Sequence, residues 1–129
     1  MPAAFGDFSV LVIEDESFTR MVLARMLVAL GFRSVHQAAD GEAGLAAVQA
    51  HVPDLVVCDV EMQPMDGLGF LRALRASPDA RHRALPVVFM TNRADQSRMD
   101  EAAAFGADTF IVKPPTPASL KETLGAKLG

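Results

Sequence analysis

The sequence has little or none of several residue types that particular functions require. Its 129 residues include one cysteine, no tryptophan and no tyrosine. The single cysteine, Cys58, cannot form an internal disulfide, and the missing aromatic residues leave little for stacking on nucleic-acid bases. The net charge is -4, and the basic residues form no dense cluster of the kind on which nucleic-acid binding depends. The composition therefore argues against nucleic acid as a partner.

Long apolar runs are also missing. A membrane-spanning helix needs about 20 consecutive apolar residues, and no run in this chain approaches that length. The N-terminus lacks the charged and then apolar pattern of a signal peptide. We therefore expect a cytoplasmic protein without membrane contact. Since 50% of the residues are hydrophobic, the chain can bury a core, and we predict one domain over residues 1–129 with no room for a second.

Short apolar runs alternate with helical periodicity along the whole chain. The apolar runs predict five strands, at 8–13, 34–38, 55–59, 86–90 and 109–112. The periodic segments predict five helices, at 17–30, 42–50, 68–75, 95–105 and 117–128. Ser17 and Thr116 are predicted as N-caps, and Gly31 is predicted to end the first helix. Arg75 is predicted to lie outside, and 77–85 is predicted as a polar loop. This alternation predicts a parallel sheet with helices on both faces.

Reactive side chains stand at the ends of four of these strands. They are Glu14 with Asp15, then Asp59, Thr91 and Lys113. Ligands of such sheets bind at the carboxyl ends of the strands, so we expect these side chains to share one edge. An acid at a strand end is often only a helix cap or a turn former, and it is therefore the joint pattern that indicates a functional site.

The charges of this predicted pocket indicate a particular chemistry. Three carboxylates in one place repel each other unless they are protonated or hold a hard divalent cation, and Mg²⁺ prefers carboxylate, water and phosphate oxygens. The Lys113 ammonium and the Thr91 hydroxyl could then hold the oxygens of a phosphoryl group. The pattern predicts that Asp59 is a nucleophile that accepts a phosphoryl group, with Mg²⁺ as the cofactor.

The same residues resemble a known family, the receiver domain of two-component response regulators. The resemblance rests on Glu14-Asp15, Asp59-x-x-Met62-x-x-Met65-Asp66-Gly67, Thr91 and Lys113-Pro114. It covers nearly the whole chain and implies an α/β fold of flavodoxin-like type, with a doubly wound five-stranded parallel sheet of order 2-1-3-4-5. It also agrees with a cis peptide bond before Pro114, which we predict from the tight turn at that point.

The resemblance implies roles for the site residues. Asp59 is the implied phosphoacceptor, and the implied ligands of Mg²⁺ are Asp15, Asp59 and the backbone carbonyl of Glu61, with Glu14 acting through water. Lys113 is an implied contact of the phosphoryl group. We further expect the lifetime of the acyl phosphate to depend on Glu61 and on Arg93, because each lies two residues beyond a site residue.

The resemblance also implies how the protein signals. Thr91 is an implied phosphoryl contact and, together with Phe110, an implied switch. The implied phosphodonor is a histidine kinase or a histidine phosphotransfer protein, and the output is expected to be a downstream target protein that a monomer contacts. Self-phosphorylation and self-dephosphorylation are the only reactions expected, so the protein is not predicted to be an enzyme.

Two departures and two alternatives accompany this interpretation. Gln63 stands where receivers commonly have proline, and Phe110 stands where tyrosine is commoner. One alternative is a phosphohydrolase similar to haloacid dehalogenases, with Asp59 as nucleophile and Glu61 as general acid. The other is a degenerate receiver that is never phosphorylated and serves as a docking module.

Overall fold

Five parallel strands form the centre of the structure, a computed structural model that describes residues 5–62, 65–91, 96–107 and 109–128. The strands are β1 (Ser9–Ile13), β2 (Ser34–Ala38), β3 (Leu55–Asp59), β4 (Val87–Thr91) and β5 (Thr109–Val112). They lie in the order β2-β1-β3-β4-β5, and every neighbouring pair is parallel. The predicted strand order and the predicted parallel sheet are therefore confirmed.

Helices follow the strands in alternation. They are α1 (Ser17–Leu30), α2 (Gly41–His51), α3 (Gly67–Arg75), α4 (Ala80–Arg83), α5 (Gln96–Ala104) and α6 (Pro117–Leu128), and a single 3₁₀ turn, Phe5–Asp7, precedes β1. Gly31 ends α1 with φ +104°, as its position predicts. Among the described residues, none of the helices is long and apolar enough to cross a membrane.

The sheet separates two hydrophobic layers, because successive side chains of a strand point to opposite faces. On one face, Leu11, Val56 and Cys58 pack with residues of α2, α3 and α5. On the other face, Val10 and Val57 pack with residues of α1 and α6. All five residues of each of β1, β3 and β4 are buried, which explains why their sequences are continuous apolar runs rather than alternating ones.

Three local predictions are wrong. The N-cap of α1 is Glu16 rather than Ser17, because the Glu16 carboxylate accepts hydrogen bonds from the backbone N–H groups of Phe18 and Thr19. The segment predicted as a polar loop contains α4, whose first turn is capped by Asp79. Asp79 also pairs with Arg81 at 3.0 Å, a contact between near neighbours that helical periodicity does not reveal.

The third wrong prediction concerns Arg75, whose guanidinium is not directed into solvent. Its Nε donates to the carbonyl oxygen of Phe105 at 3.0 Å, and its Nη1 donates to the carbonyl oxygens of Arg83 at 3.0 Å and Leu85 at 2.9 Å. One side chain on α3 thus holds the end of α4 and the segment after α5. These partners are distant in sequence, so periodicity could not predict them.

The end of α2 contains two unusual features. The His51 ring stacks on the His36 ring of β2, with centroids 3.9 Å apart, and burial together with the charge of His51 lowers the pKa of His36. The next residue, Val52, caps α2 with φ +45°, a left-handed conformation that is unfavourable for a β-branched side chain. The end of α2 therefore combines a strained backbone at Val52 with a stacked pair of histidines, one of which has a lowered pKa.

Candidate functional site at the carboxyl ends of the strands

The strand register brings the predicted site residues to one edge of the sheet. Asp59 is in register with Met90, so Thr91 lies one residue beyond Asp59 along the sheet. Thr91 is in register with Val112, so Lys113 in turn lies one residue beyond Thr91. The backbone N–H of Lys113 donates to the carbonyl oxygen of Thr91 at 2.9 Å. The peptide bond between Lys113 and Pro114 is cis, as predicted.

Asp59 lies at the centre of this edge and is only 4% exposed. Its Oδ1 contacts Nζ of Lys113 at 2.8 Å and accepts a hydrogen bond from the backbone N–H of Glu61 at 3.3 Å. A buried carboxylate is costly to ionise unless a partner compensates its charge. The Lys113 ammonium, which β5 carries to this position, provides that compensation.

Two further carboxylates lie beside Asp59. Oxygen atoms of Glu14, Asp15 and Asp59 all lie within 4.8 Å of one another. Glu14 is 3% exposed, and its Oε1 accepts a hydrogen bond from the backbone N–H of Glu16 at 3.1 Å. Its Oε2 is buried and has no hydrogen-bond partner among the described residues. An acidic group with an unsatisfied buried oxygen fits a divalent cation, because oxygen ligands are those that Mg²⁺ prefers.

The electrostatics of Glu14 agree with this crowding. Its pKa is raised to about 7 by the sum of several effects: burial raises the pKa most, the Glu16 N–H lowers it, the nearby Asp59 carboxyl raises it, and the charge of Lys113 lowers it. Without a cation, Glu14 is therefore partly protonated near neutral pH. A divalent cation would favour the ionised form instead.

Thr91 and Phe110, the two residues of the predicted switch, lie on the neighbouring strands β4 and β5. Thr91 is 3% exposed at the end of β4. Phe110 is half-buried on β5, and its ring stacks on Phe89 of β4 with a centroid distance of 6.4 Å. Glu61 follows Asp59 with its side chain exposed, and it is not part of the carboxylate group. Arg93 lies outside the described residues, as does the loop position Gln63.

Two residues contact the site although the sequence did not predict their roles. Arg20 donates from Nη1 to the carbonyl oxygen of Glu14 at 2.8 Å. A Cβ atom on Gly67 would collide with the backbone oxygen of Asp59 and lie 2.7 Å from the Phe89 ring, so only glycine fits there. The glycine at position 67 was itself a signal for this close approach, whereas the sequence contained no signal for the role of Arg20.

A family model for the response regulator receiver domain matches residues 10–125. The chain belongs to this family. The receiver domain is 33% identical over 120 residues to a probable chemotaxis protein CheY of Rhizobium etli, with 93% of this chain and 92% of the relative covered. It is 36% identical over 118 residues to chemotaxis protein CheY-3 of Vibrio cholerae, with 92% of this chain and 89% of the relative covered.

Solved structures show the same fold. The crystal structure of chemotaxis protein CheY4 of Vibrio cholerae at low pH matches the receiver with a TM-score of 0.85 and 30% identity, covering 95% of this chain and 98% of the other. The receiver domain of NtrX from Brucella abortus matches with a TM-score of 0.81 and 30% identity, covering 92% and 97%. The flavodoxin-like fold and the two-component signalling function are thus established, and the phosphohydrolase alternative is not favoured.

Proposed function

We propose that Asp59 is the phosphoacceptor of this receiver and that its phosphodonor is the phosphohistidine of a histidine kinase or a histidine phosphotransfer protein. A carboxylate oxygen of Asp59 attacks the phosphorus atom, an O–P bond forms and the N–P bond of the donor breaks. The electron pair of that bond leaves with the imidazole, which takes up a proton. Hydrolysis of the acyl phosphate by water later restores the Asp59 carboxylate.

The observation that carries this proposal is the 2.8 Å contact between Lys113 Nζ and Asp59 Oδ1. The transferred phosphoryl group spreads negative charge over its oxygens, so catalysis depends on positioned positive charge and hydrogen-bond donors. Lys113 is already in place for that charge. The backbone N–H of Glu61 and the Thr91 hydroxyl are the other donors that we assign to the phosphoryl oxygens.

The donor set at this site fits Mg²⁺. Asp15, Asp59 and the backbone carbonyl of Glu61 would hold the ion, and Glu14 would act through water. When bound, Mg²⁺ neutralises charge that builds up on the phosphoryl oxygens. The unsatisfied Oε2 of Glu14 supports this assignment, because a water molecule on the ion could donate to that oxygen.

The test is phosphorylation by acetyl phosphate in the presence of Mg²⁺, followed by the mass of the intact protein. Asp59→Asn should abolish labelling, because an amide nitrogen or oxygen is a poor nucleophile compared with a carboxylate. Asp54→Asn is the matched control: Asp54 precedes the other end of the same strand and accepts from Ser9, so it should label normally. EDTA should abolish labelling of the unchanged protein.

The outcomes separate the candidate functions. Stable labelling that Asp59→Asn removes supports a receiver that is phosphorylated. Release of phosphate from many external phosphomonoesters would support a phosphohydrolase instead, and no labelling by any donor would support an unphosphorylated docking module. Undiminished labelling of Asp59→Asn would place the phosphoacceptor at another residue. The rate of label loss in Glu61→Gln and Arg93→Gln tests their assignment to dephosphorylation.

We further propose that the phosphorylated receiver is recognised by a target protein at the surface of α5, β5 and α6. Thr91 would move towards the phosphoryl group and the Phe110 ring would turn into the space that it leaves. Amide chemical shifts with and without beryllofluoride, a phosphoryl mimic, test this. Shift changes confined to the strand ends, without changes at 96–107 and 109–120, would contradict the proposal.

We also propose the compartment, the assembly state and the extent of the domain. The receiver is expected to act in the cytoplasm as a monomer, with the domain extending over residues 1–129 and without contact to nucleic acid. Sedimentation velocity with and without beryllofluoride measures the assembly state. Retention of the protein on DNA at physiological salt would contradict the assignment that rests on its net charge of -4.

A further inference from the structure

The peptide group that links Glu14 to Asp15 is fixed by an arginine outside the carboxylate group. Its carbonyl oxygen, that of Glu14, accepts a hydrogen bond from Arg20 Nη1 at 2.8 Å. The preceding peptide group is also held, because the backbone N–H of Glu14 donates to the carbonyl oxygen of Ala38 at 3.1 Å. Since a peptide group is planar, holding its oxygen also orients the nitrogen of the next residue, Asp15.

We propose that Arg20 is a positioning residue of the cation site, which fixes the peptide between two of its acids and thereby the direction of both carboxylates. This inference rests on the proposed function, because the cation site is part of it. Arg20 is the fourth residue of α1, and its own backbone N–H donates to the Glu16 carbonyl oxygen at 2.9 Å. The rigid start of the helix therefore carries the guanidinium back to the end of β1.

Two physical effects of Arg20 oppose each other, and their magnitudes decide the expected result. As a positive charge close to a cation site, Arg20 should weaken cation binding, and its removal should strengthen it. Water screens that charge, because the side chain is only half-buried. Loss of a residue that orients metal ligands typically weakens metal binding about 10-fold to 100-fold. We therefore expect the positioning effect to exceed the charge effect. The two effects predict opposite changes in cation affinity when Arg20 is removed.

The experiment measures Mn²⁺ binding, by the electron paramagnetic resonance signal of the free ion, to the full chain. Mn²⁺ takes the same oxygen ligands as Mg²⁺. Arg20→Met keeps the apolar stem but removes every donor, and we expect binding weakened about tenfold. Arg20→Lys keeps the charge but not the planar fork, and we expect a smaller but clear loss. Arg25→Met, an exposed arginine on the same helix, is the matched control and should bind normally.

Each outcome has one meaning. Binding by Arg20→Met that is unchanged or tighter overturns the positioning role and leaves Arg20 as a nearby charge. If Arg20→Met does not fold, judged by circular dichroism in EDTA, Arg20→Lys decides: unchanged binding overturns the proposal, and weaker binding supports it. Failure of the proposed function is distinguishable, because the unchanged protein would then bind no Mn²⁺, or Asp59→Asn would bind it as tightly.

Discussion

Replacement of Glu14 by glutamine should stabilise the receiver in the absence of divalent cations. The buried Glu14 carboxyl has an oxygen without a partner among the described residues, and its pKa is raised from 4.5 to about 7, first by burial and then by Asp59. Ionising this group in the folded protein is therefore unfavourable. Glutamine has nearly the same shape and can donate to Asp59, but it carries no charge.

The magnitude and sign follow from the two pKa values. A rise from 4.5 to about 7 corresponds to about 3 kcal/mol at high pH. The folded protein binds more protons than the unfolded chain between these values, so its free energy of unfolding falls as pH rises from about 4.5 to about 7. Glu14→Gln removes that loss. We expect the variant to be more stable by about 3 kcal/mol near pH 8 and by less than about 1 kcal/mol near pH 5.

Urea unfolding followed by far-ultraviolet circular dichroism measures this difference, because the chain has no tryptophan or tyrosine for fluorescence. The protein, Glu14→Gln and the control Glu101→Gln, at an exposed position on α5, are compared in EDTA between about pH 5 and pH 8. The control should follow the unchanged protein. A difference between Glu14→Gln and the unchanged protein that does not grow with pH would refute the reasoning.

Three further predictions concern stability. Val52→Gly should raise the free energy of unfolding by about 1 kcal/mol, because glycine accepts the φ of +45° without strain; a lower urea midpoint would contradict this. Arg75→Met should lower it by about 2 kcal/mol through loss of three carbonyl contacts, whereas Arg72→Met, at an exposed position on the same helix, should have little effect. The pKa of His36 is lowered by burial and by the charge of His51, so stability should fall as pH drops below about 6.5. His36→Gln should reduce this acid sensitivity in thermal unfolding, and an undiminished slope would argue against it.

Much of the candidate site could be predicted from the sequence, because its residues are tied to strand ends. A doubly buried strand requires a continuous apolar run, and the first polar residue after that run marks the edge of the sheet. Asp59, Thr91 and Lys113 could therefore be assigned to one edge from the sequence alone. The same local logic predicted Gly31 as the end of α1 and Thr116 as a cap, whose Oγ1 accepts from the Ser119 N–H at 3.0 Å.

Contacts between distant segments could not be predicted in this way. The Arg75 guanidinium binds carbonyl oxygens 8 to 30 residues away, and His36 stacks on His51 from a different element. Backbone carbonyls are present at every residue, so the sequence contains no mark of which one a long side chain reaches. Arg20 is only 6 residues from Glu14, but its contact is likewise made to a backbone carbonyl and has no mark in the sequence.

The sequence by itself thus determined the order of strands and helices, the edge at which the reactive residues meet and their chemistry, since apolar periodicity and residue type are local properties. Tertiary structure alone decided the 2.8 Å contact between Lys113 and Asp59, the unsatisfied oxygen of Glu14 and the arginine that orients its peptide. These depend on the distances between strand ends and helix starts, which packing of the two hydrophobic layers sets.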